Sequence, residues 1–411
     1  MASADVLIIG GGPAGLAAAI ELRRLGVRDV AIVDREPEMG GIPRHAHHIG
    51  FGLRDLKRVL RGPVYARRYV RLAADAGADL RGETTATEWL SKTTLRLTSA
   101  RGLDDVEARA VLLATGCRER PRSARLVPGD RPLGVFTTGS LQQLVHLRGH
   151  RVGRSAIVVG AEHVSFSAVL TLAHAGVRTL AMVTEHARHQ SYAPYKWLSA
   201  DRLRVPILTS HRLSNIEGRE RVAAVELTDL RTNATRRIKC DTVVFTGDWI
   251  PDHELARRGG LMVDAATQAP RVDGALRTSQ RGVFAAGNLV HAAETADIAA
   301  LGGRHAARCI QHFLRSGDWP ANDALPINCD SPVQWVSPSA VRRGDVPPRD
   351  RFIWRVSELV SRAELTIRQG DRILWRRGYR RLVPTLPLSA SAAWIDLVDP
   401  AGPPIAFGLN G

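Results

Sequence analysis

A glycine-rich turn near the N-terminus has residue types and a spacing that suit a phosphate group. An apolar run at residues 6–10 leads into a G-x-G-x-x-G pattern, and a helical pattern follows at once. The first glycine permits a tight turn, the second lets the backbone approach a pyrophosphate, and the third lets helix and strand pack closely. The residues of this pattern are Gly10, Gly12, Pro13, Ala14 and Gly15. Asp34 ends the next apolar run, where a carboxylate can accept ribose hydroxyls, so the pattern predicts a dinucleotide site.

A second, altered motif of this kind begins at Gly160. Glu162 stands where the backbone of the first motif must approach a pyrophosphate, and Ser165 replaces the third glycine. A carboxylate there would repel the phosphates of NAD(P), so we do not expect NAD(P)H to be a tight redox partner. This region is open to three interpretations: a relic, a domain that holds a nucleotide differently, or an assembly domain.

Both motifs lie in strand–helix–strand patterns, which are typical of a parallel sheet with helices on its faces. The first pattern uses residues 6–10, 16–25 and 30–33, and the second uses residues 156–160, 164–175 and 179–183. A basic helical stretch is predicted at 53–76, a linker at 118–130, and a small-residue helix at 295–313. Beyond Pro320, alternating segments at 364–368, 372–375 and 393–398 predict short strands. We therefore predict an α/β fold with two Rossmann-like dinucleotide-binding domains and a small β-rich C-terminal domain.

Composition narrows the class of protein. The 411 residues include 57 Lys and Arg against 41 Asp and Glu, a net charge of +16, but the arginines are scattered and predict no nucleic-acid partner. The four cysteines lack metal or redox spacing, so we predict no metal site and a reducing, cytoplasmic setting. No signal peptide and no membrane span are expected.

Several further motifs share their order with the two-dinucleotide-binding-domain flavoproteins. They are Gly40-Gly41, Leu113-Ala-Thr-Gly116, Thr246-Gly-Asp-Trp-Ile-Pro251 and Val283-Phe-Ala-Ala-Gly-Asn288. The resemblance covers about residues 5–318 and implies FAD as cofactor. It implies an FAD domain at 1–120 and 252–320, an NAD(P)-binding-like domain at 121–251, and a C-terminal domain at 321–411. Besides the residues of the first motif and Asp34, it implies flavin-nucleotide contacts from Arg35, Gly41, Ile42, Arg44, His45, Ala86, Ala114, Thr115, Gly116, Gly287, Asn288, Thr295 and Ala296. Asn288 replaces the aspartate usual in the family.

A narrower resemblance is to the larger subunits of opine oxidase, hydrogen cyanide synthase and dye-linked proline dehydrogenase. It is carried by Gly40-Gly-Ile-Pro-Arg-His45, Gly62-Pro-Val-Tyr-Ala-Arg67 and Val127-Pro-Gly-Asp-Arg-Pro132. It implies oxidation of an amino acid, opine or related amine, with hydride passing to FAD and electrons to a partner or an external acceptor. The implied partners are a second flavoprotein and an iron–sulfur subunit, because this chain has too few cysteines after residue 309 to hold a cluster.

The catalytic candidates follow the Gly40-Gly41 pair. Disulfide reductases of this superfamily carry redox cysteines in this segment, whereas here it holds Arg44-His45-Ala46-His47-His48. We expect Arg44 to orient a substrate carboxylate, and His45 or His48 to bind substrate or move protons. Packing under the flavin or exposure to solvent is the alternative for the histidines. Two other functions stay open: an NAD(P)H-dependent flavin reductase, and a non-catalytic electron-relay subunit.

Overall fold

Strands and helices alternate from the start of the computed structural model, which describes residues 2–292, 294–320 and 324–410. The elements up to residue 119 are β1 (Ala2–Ile9), α1 (Pro13–Arg24), β2 (Val30–Val33), β3 (Ile49–Phe51), β4 (Leu60–Arg61), α2 (Gly62–Asp75), β5 (Asp79–Arg81), β6 (Thr84–Trp89), β7 (Thr94–Ser99), β8 (Gly102–Leu113) and β9 (Cys117–Glu119).

The middle of the chain repeats this alternation. Its elements are β10 (Val135–Thr137), α3 (Thr138–Gln142), β11 (Ser155–Val159), α4 (His163–His174), β12 (Arg178–Val183), α5 (Ala193–Lys196), β13 (Ile207–Leu208), β14 (His211–Glu217), β15 (Ala224–Asp229), β16 (Thr235–Lys239), β17 (Thr242–Phe245) and β18 (Trp249–Pro251).

The remainder holds one long helix and then strands. Its elements are α6 (Glu254–Arg258), β19 (Val283–Ala285), α7 (Ala296–Ser316), β20 (Leu325–Cys329), β21 (Val333–Ser337), β22 (Ala340–Val341), β23 (Arg351–Val356), β24 (Val360–Gln369), β25 (Arg372–Leu382), β26 (Leu388–Ser391) and β27 (Ile405–Asn410).

These elements form two structural units. One comprises Met1–Arg44, Ile49–Cys117 and Pro251–Gly411, and the other comprises His45–His48 and Arg118–Ile250. The division groups the C-terminal strands with the first unit. The domain boundaries near residues 120, 251 and 320 stay predictions.

The first unit is built on a sheet in the order β5-β2-β1-β8-β7-β6, in which β19 also pairs with β8. β1 runs parallel to both β2 and β8, because α1 and the segments around it carry the chain back across the sheet. All four residues of β2 are buried, as expected for a strand covered on both faces. The carboxyl ends of β1, β8 and β19 therefore meet at one edge, where α1 and α7 begin.

The second unit repeats the arrangement on a smaller scale. Its parallel sheet has the order β10-β17-β11-β12-β13, and an antiparallel sheet of β14, β15 and β16 accompanies it. The C-terminal region of the first unit forms two further sheets, in the orders β22-β20-β27-β24-β25 and β21-β23-β26. Buried Phe352, Trp354, Trp394 and Phe407 form the centre of this region's core. The predicted α/β class with two Rossmann-like sheets and a β-rich C-terminal region is confirmed.

Two local predictions are wrong. The predicted helix at 53–76 begins only at Gly62, because the Gly52 carbonyl accepts the N–H groups of Leu56 and Arg58 and closes a tight turn. The predicted linker at 118–130 stays a prediction; its segment is ordered, since the buried Arg122 guanidinium donates to the carbonyls of Val127, Pro128 and Asp130. The segment at 393–398 contains a 3-10 helix, Ile395–Leu397, rather than a strand.

Close packing of α1 against α7 gives a stability prediction. A Cβ at Gly303 would stand 2.0 Å from the Ala14 carbonyl oxygen, whereas a Cβ at Gly378 in β25 would meet nothing within 4 Å. We expect Gly303→Ala to lower the free energy of unfolding by about 1–3 kcal/mol because the helices must separate. Gly378→Ala is the matched control and should change it by less than about 0.5 kcal/mol. Urea unfolding of the cofactor-free protein measures both, and equal midpoints for the two variants would contradict the prediction.

Candidate functional site

The glycine-rich turn between β1 and α1 brings backbone segments into direct contact. A Cβ at Gly10, whose φ is +112°, would stand 2.4 Å from the Ala114 carbonyl oxygen. A Cβ at Gly15 would stand 2.0 Å from the Gly10 carbonyl oxygen. α1 then begins at Pro13, with Gly12 as its N-cap and no side chain capping it. Its first N–H groups are thus left for a ligand rather than a side chain.

A second loop lies against this turn. The N–H of Gly40 donates to the Gly11 carbonyl over 2.7 Å, and a Cβ at Gly41 would stand 3.0 Å from the Cα of Gly12. Asp34 joins the same arrangement, because its carboxylate accepts the Gly11 N–H at 2.7 Å and the Glu36 N–H at 2.9 Å. Asp34 thus orders the turn itself, and its predicted contact with a ribose stays a prediction.

The third side of the site comes from the end of β19. Gly287 adopts a φ of +72°, and a Cβ there would stand 2.6 Å from the Cβ of Ala14. The next residue, Asn288, donates from Nδ2 to the Glu294 carbonyl over 3.0 Å. Its Oδ1 is buried and makes no hydrogen bond within the described part of the chain. A buried acceptor without a donor is costly, and a ligand group that donates a hydrogen bond would satisfy it.

The other predicted cofactor residues lie in the same unit. Ala114, Thr115 and Gly116 follow β8, and the Thr115 hydroxyl donates to the Asp252 carbonyl over 2.7 Å. Ala86 is in β6, and Ile42 is half exposed in a 3-10 turn. Arg35 is exposed and contacts the Asp252 carboxylate at 3.3 Å. Thr295 is the N-cap of α7, and Ala296 is its first residue.

These residues fit a dinucleotide. The turn at Gly12 offers bare backbone and an uncapped helix N-terminus, which suits a pyrophosphate. Asn288 offers an unpartnered acceptor, and α7 begins without a side-chain cap at Thr295. The assignment of each predicted residue to FAD stays a prediction.

Arg44 follows the Gly40-Gly41 pair and is largely buried, with a side chain 11% exposed. Its guanidinium donates to the Glu38 carbonyl and lies 3.9 Å from the Glu36 carboxylate and 3.8 Å from that of Glu38. Both glutamates are more exposed than the arginine. The guanidinium is therefore positioned by acidic neighbours, and its action on a substrate carboxylate stays a prediction.

The histidine segment belongs to the second unit. His45 is 4% exposed, and its Nδ1 lies 3.3 Å from Oε1 of buried Gln142, whose Nε2 donates to Ser167 over 2.8 Å. His47 stacks on His146, with ring centroids 3.9 Å apart. The segment is thus held by α3, the turn after it, and α4. The predicted roles of His45 and His48 in catalysis stay predictions.

Two neighbouring imidazoles are held neutral. Burial, followed by the nearby His48, lowers the pKa of His163 to about 4. Burial, followed by His47, His174 and His45, lowers the pKa of His146 to about 4. His163 Nδ1 also lies 3.1 Å from the Ser191 hydroxyl. The second unit therefore surrounds His45–His48 with imidazoles that resist protonation at neutral pH.

The second glycine motif differs from the first in its side chains. Glu162 folds back so that its Oε2 accepts the Ala161 N–H at 3.0 Å, while Oε1 is buried without a hydrogen-bond partner among the described residues. A Cβ at Gly247 would stand 2.6 Å from Oε1, and one at Gly160 would stand 1.9 Å from the Thr246 hydroxyl. The Ser165 hydroxyl lies 2.7 Å from the same hydroxyl. Side-chain oxygens thus occupy the space that bare backbone leaves at Gly12.

Sequence reasoning missed a polar network at the start of α7. The Asp55 carboxylate accepts the hydroxyls of Tyr65 at 2.6 Å and Tyr69 at 2.7 Å. Asp297, which is 2% exposed, accepts from the Arg54 N–H at 3.0 Å. The tyrosines lie one helical turn apart at positions 65 and 69, and this spacing is the only signal that could have indicated a shared partner.

A buried ion pair was also missed. Glu294 and Arg355 pair through their side chains, which are 3% and 5% exposed. They lie 61 residues apart, so no local pattern could connect them. Among the described residues no cluster of three or more His, Cys, Asp or Glu side chains could hold a metal ion. No helix in the described ranges is long and apolar enough to span a bilayer.

Comparisons with known proteins agree with this geometry. The sequence model of the pyridine nucleotide-disulphide oxidoreductases matches residues 4–303. One of the opine oxidase subunits of Rhizobium meliloti is 26% identical over 316 residues, covering 69% of this chain and 58% of that protein. The chain spans 36–58% of the length of the opine oxidase subunits that it matches.

Solved structures share the fold. Thioredoxin reductase of T. acidophilum superposes with a TM-score of 0.64 at 21% identity, covering 77% of this chain and 100% of that one. L-proline dehydrogenase from P. horikoshii superposes with a TM-score of 0.56 at 20% identity, covering 78% of this chain and 57% of that one. At these identities the likeness supports the two-domain fold.

The unpartnered oxygen of Asn288 gives a binding prediction. Asn288→Ala removes this acceptor, and we expect the dissociation constant for FAD to rise about tenfold, as for the loss of one buried hydrogen bond. Asn328→Ala removes an exposed asparagine from β20 and should leave it within about twofold. Titration of deflavinated protein with FAD, followed by flavin fluorescence, measures both. Equal affinities in the two variants would remove Asn288 from the site.

The lowered pKa of His163 gives a pH prediction. The unfolded chain takes up a proton near pH 6.5, whereas the folded chain takes it up only near pH 4, so stability falls as the pH drops from about 6.5 to about 4. We expect His163→Gln to flatten this part of the profile, and His312→Gln, an exposed residue of α7, to keep it. Thermal unfolding between pH 4 and pH 7.5 measures the three profiles. Three parallel profiles would show that the folded protein does not resist protonation of His163.

Proposed function

This chain belongs to the pyridine nucleotide-disulphide oxidoreductase family, with FAD as its cofactor, and from that premise we propose that it dehydrogenates an amino acid, an opine or a related amine. The electrons then pass to a partner subunit or an external acceptor rather than arriving from NAD(P)H. Bound FAD supplies the two-electron acceptor.

The position of Glu162 carries this proposal. Its carboxylate lies at the turn where a second nucleotide would place its pyrophosphate, between Gly160 and Gly247. Neither a side chain of this size nor its negative charge is compatible with phosphates at that turn. Because this turn is poorly suited to NAD(P)H, we propose that the reducing equivalents come from another donor.

The cysteines support a donor that is not a dithiol. Burial raises the pKa of the Cys240 thiol to about 11 and those of Cys309 and Cys329 to about 12. Thiols of this kind are largely unreactive near neutral pH because the thiolate is the nucleophile. Of the four cysteines, this leaves Cys117 alone, and a single thiol cannot form a dithiol centre.

An amine donor is supported by the relative from Rhizobium meliloti, which is named as part of an opine oxidase. Opines are secondary amines that carry carboxylates. Oxidation of such a carbon–nitrogen bond removes a hydride from carbon and a proton from nitrogen. In this proposal Arg44 holds the substrate carboxylate, and His45 or His48 receives the proton.

Electron exit is proposed through other subunits. The relative's name describes one subunit of an enzyme, and the present chain has no cysteine set for an iron–sulfur cluster. We propose that its partners are a second flavoprotein and an iron–sulfur subunit. A cytoplasmic setting and the identity of the amine are also proposals.

The proposed donor is tested by anaerobic mixing. We expect the visible flavin band of the FAD-loaded chain to bleach with one member of a panel of amino acids and opines, and to persist with NADH and NADPH. Glu162→Gly should admit a nucleotide and raise the rate of bleaching by NAD(P)H by about tenfold or more, because it removes the carboxylate from the turn. Glu220→Ala, an exposed carboxylate of the same unit, is the matched control.

Rapid bleaching of the unchanged chain by NADH or NADPH would overturn the proposal in favour of an NAD(P)H-dependent flavin reductase. A chain that binds FAD but is bleached by neither class of donor would instead indicate an electron-relay subunit. Bleaching by an amine alone supports the dehydrogenase.

A further inference from the structure

The amide of Asn288 is oriented by the residue that precedes the N-cap of α7. Its Nδ2 donates to the Glu294 backbone carbonyl over 3.0 Å, which leaves Oδ1 as the buried, unpartnered atom among the described residues. A shift of the Glu294 backbone would therefore rotate the amide or break this hydrogen bond. The position of Oδ1 depends on whatever fixes Glu294.

The side chain of Glu294 is fixed by the C-terminal region. Its carboxylate pairs with the Arg355 guanidinium of β23, and both side chains are almost fully buried. A buried carboxylate without its partner is strongly unfavourable, because neither water nor another charge replaces the lost interaction. The backbone of Glu294 is consequently held at the distance from β23 that this pair requires.

Arg355 is itself held from two further sides. Its Nη1 donates to the Trp354 carbonyl over 2.9 Å, and its guanidinium lies over the Trp335 ring, 5.2 Å from the centroid. Trp335 is in β21, which pairs with β23 directly at Arg355. The Trp335 ring and the Trp354 carbonyl restrict the guanidinium from two sides, so the sheet β21-β23-β26 constrains its position.

We propose that Arg355 and Glu294 are positioning residues for the cofactor, through which the C-terminal sheet places the amide of Asn288. The chain of contacts runs from the Trp335 ring to Arg355, to the Glu294 carboxylate, and from the Glu294 carbonyl to Asn288. The proposal rests on the FAD site described above and gives the C-terminal region a role in flavin binding. It does not depend on which substrate is oxidised.

A paired substitution tests this role. Glu294→Gln with Arg355→Met removes both buried charges together, so that neither is left unpaired. We expect the FAD dissociation constant to rise about tenfold while the urea midpoint of the cofactor-free protein stays close to that of the unchanged chain. Asp330→Asn with Arg368→Met is the matched control, since this pair spans 2.6 Å on the same C-terminal region but is about half exposed. The control should leave FAD affinity within about twofold.

Coupling to Asn288 separates positioning from general stabilisation. If the pair acts through Asn288, adding Asn288→Ala to the double variant weakens FAD binding no further than Asn288→Ala does alone. Fully additive effects, or an unchanged FAD dissociation constant in the double variant, would overturn the proposal. If the double variant does not fold, Arg355→Lys keeps the charge but loses the planar contact with Trp335, and it should weaken FAD binding by a factor of about three. Unchanged affinity in that variant would also overturn it.

Because FAD binding is measured without substrate, failure of the chain to oxidise any amine would leave this inference intact and remove only the proposed function.

Discussion

Backbone atoms approach one another so closely around the first turn of α1 that no side chain fits between them. The carbonyl of Gly10 lies against Gly15, the carbonyl of Ala114 lies against Gly10, and the carbonyl of Ala14 lies against Gly303. These contacts connect β1, α1, β8 and α7 at one point, the edge where the parallel strands end. The first N–H groups of α1 lie at this edge without intrahelical partners, as at the start of any helix, and no side chain caps them. The phosphate site predicted at this turn would thus be a consequence of packing, with the same glycines serving both.

The corresponding turn of the second unit, at the start of α4, does contain side chains. Its strand and helix meet in the same order, but Glu162 and Ser165 introduce side chains at the turn. The loop remains ordered because the Glu162 carboxylate accepts the Ala161 N–H and the Ser165 hydroxyl bonds with Thr246. These internal hydrogen bonds order a turn whose side chains differ from those of the first. The same architecture thus carries two different turns, which is why fold alone does not identify the donor.

Sequence reasoning succeeded where a local pattern has one physical cause. The spacing of Gly10, Gly12 and Gly15 predicted the turn and the helix after it, because each glycine meets a steric requirement of such turns. Two strand–helix–strand patterns predicted the two Rossmann-like sheets. It failed at residues 53–61, where the sequence has a helical pattern but the chain forms a turn closed by hydrogen bonds to the Gly52 carbonyl. It also could not find the Glu294–Arg355 pair, since the partners lie 61 positions apart and no periodicity links them. Contacts of this second kind depend on how the sheets pack, which no short window of sequence contains.

The buried pair of Glu294 and Arg355 near α7 illustrates why such a contact matters more for position than for stability. Removing two charges from water costs most of what their attraction returns, so an apolar pair of similar volume would hold the region together at least as well. An apolar pair, however, has no preferred direction, whereas the pair of Arg355 and Glu294 is directional and is bounded by the Trp335 ring. Asp297 accepts the N–H of Arg54 and the hydroxyl of Thr295 at the first turn of α7. Two buried carboxylates near the start of α7 are thus bound from different parts of the chain, Asp297 by the loop after β3 and Glu294 by the C-terminal sheet. A polar atom that contacts a cofactor must be positioned to within a fraction of an ångström. Directional pairs of this kind can provide that precision.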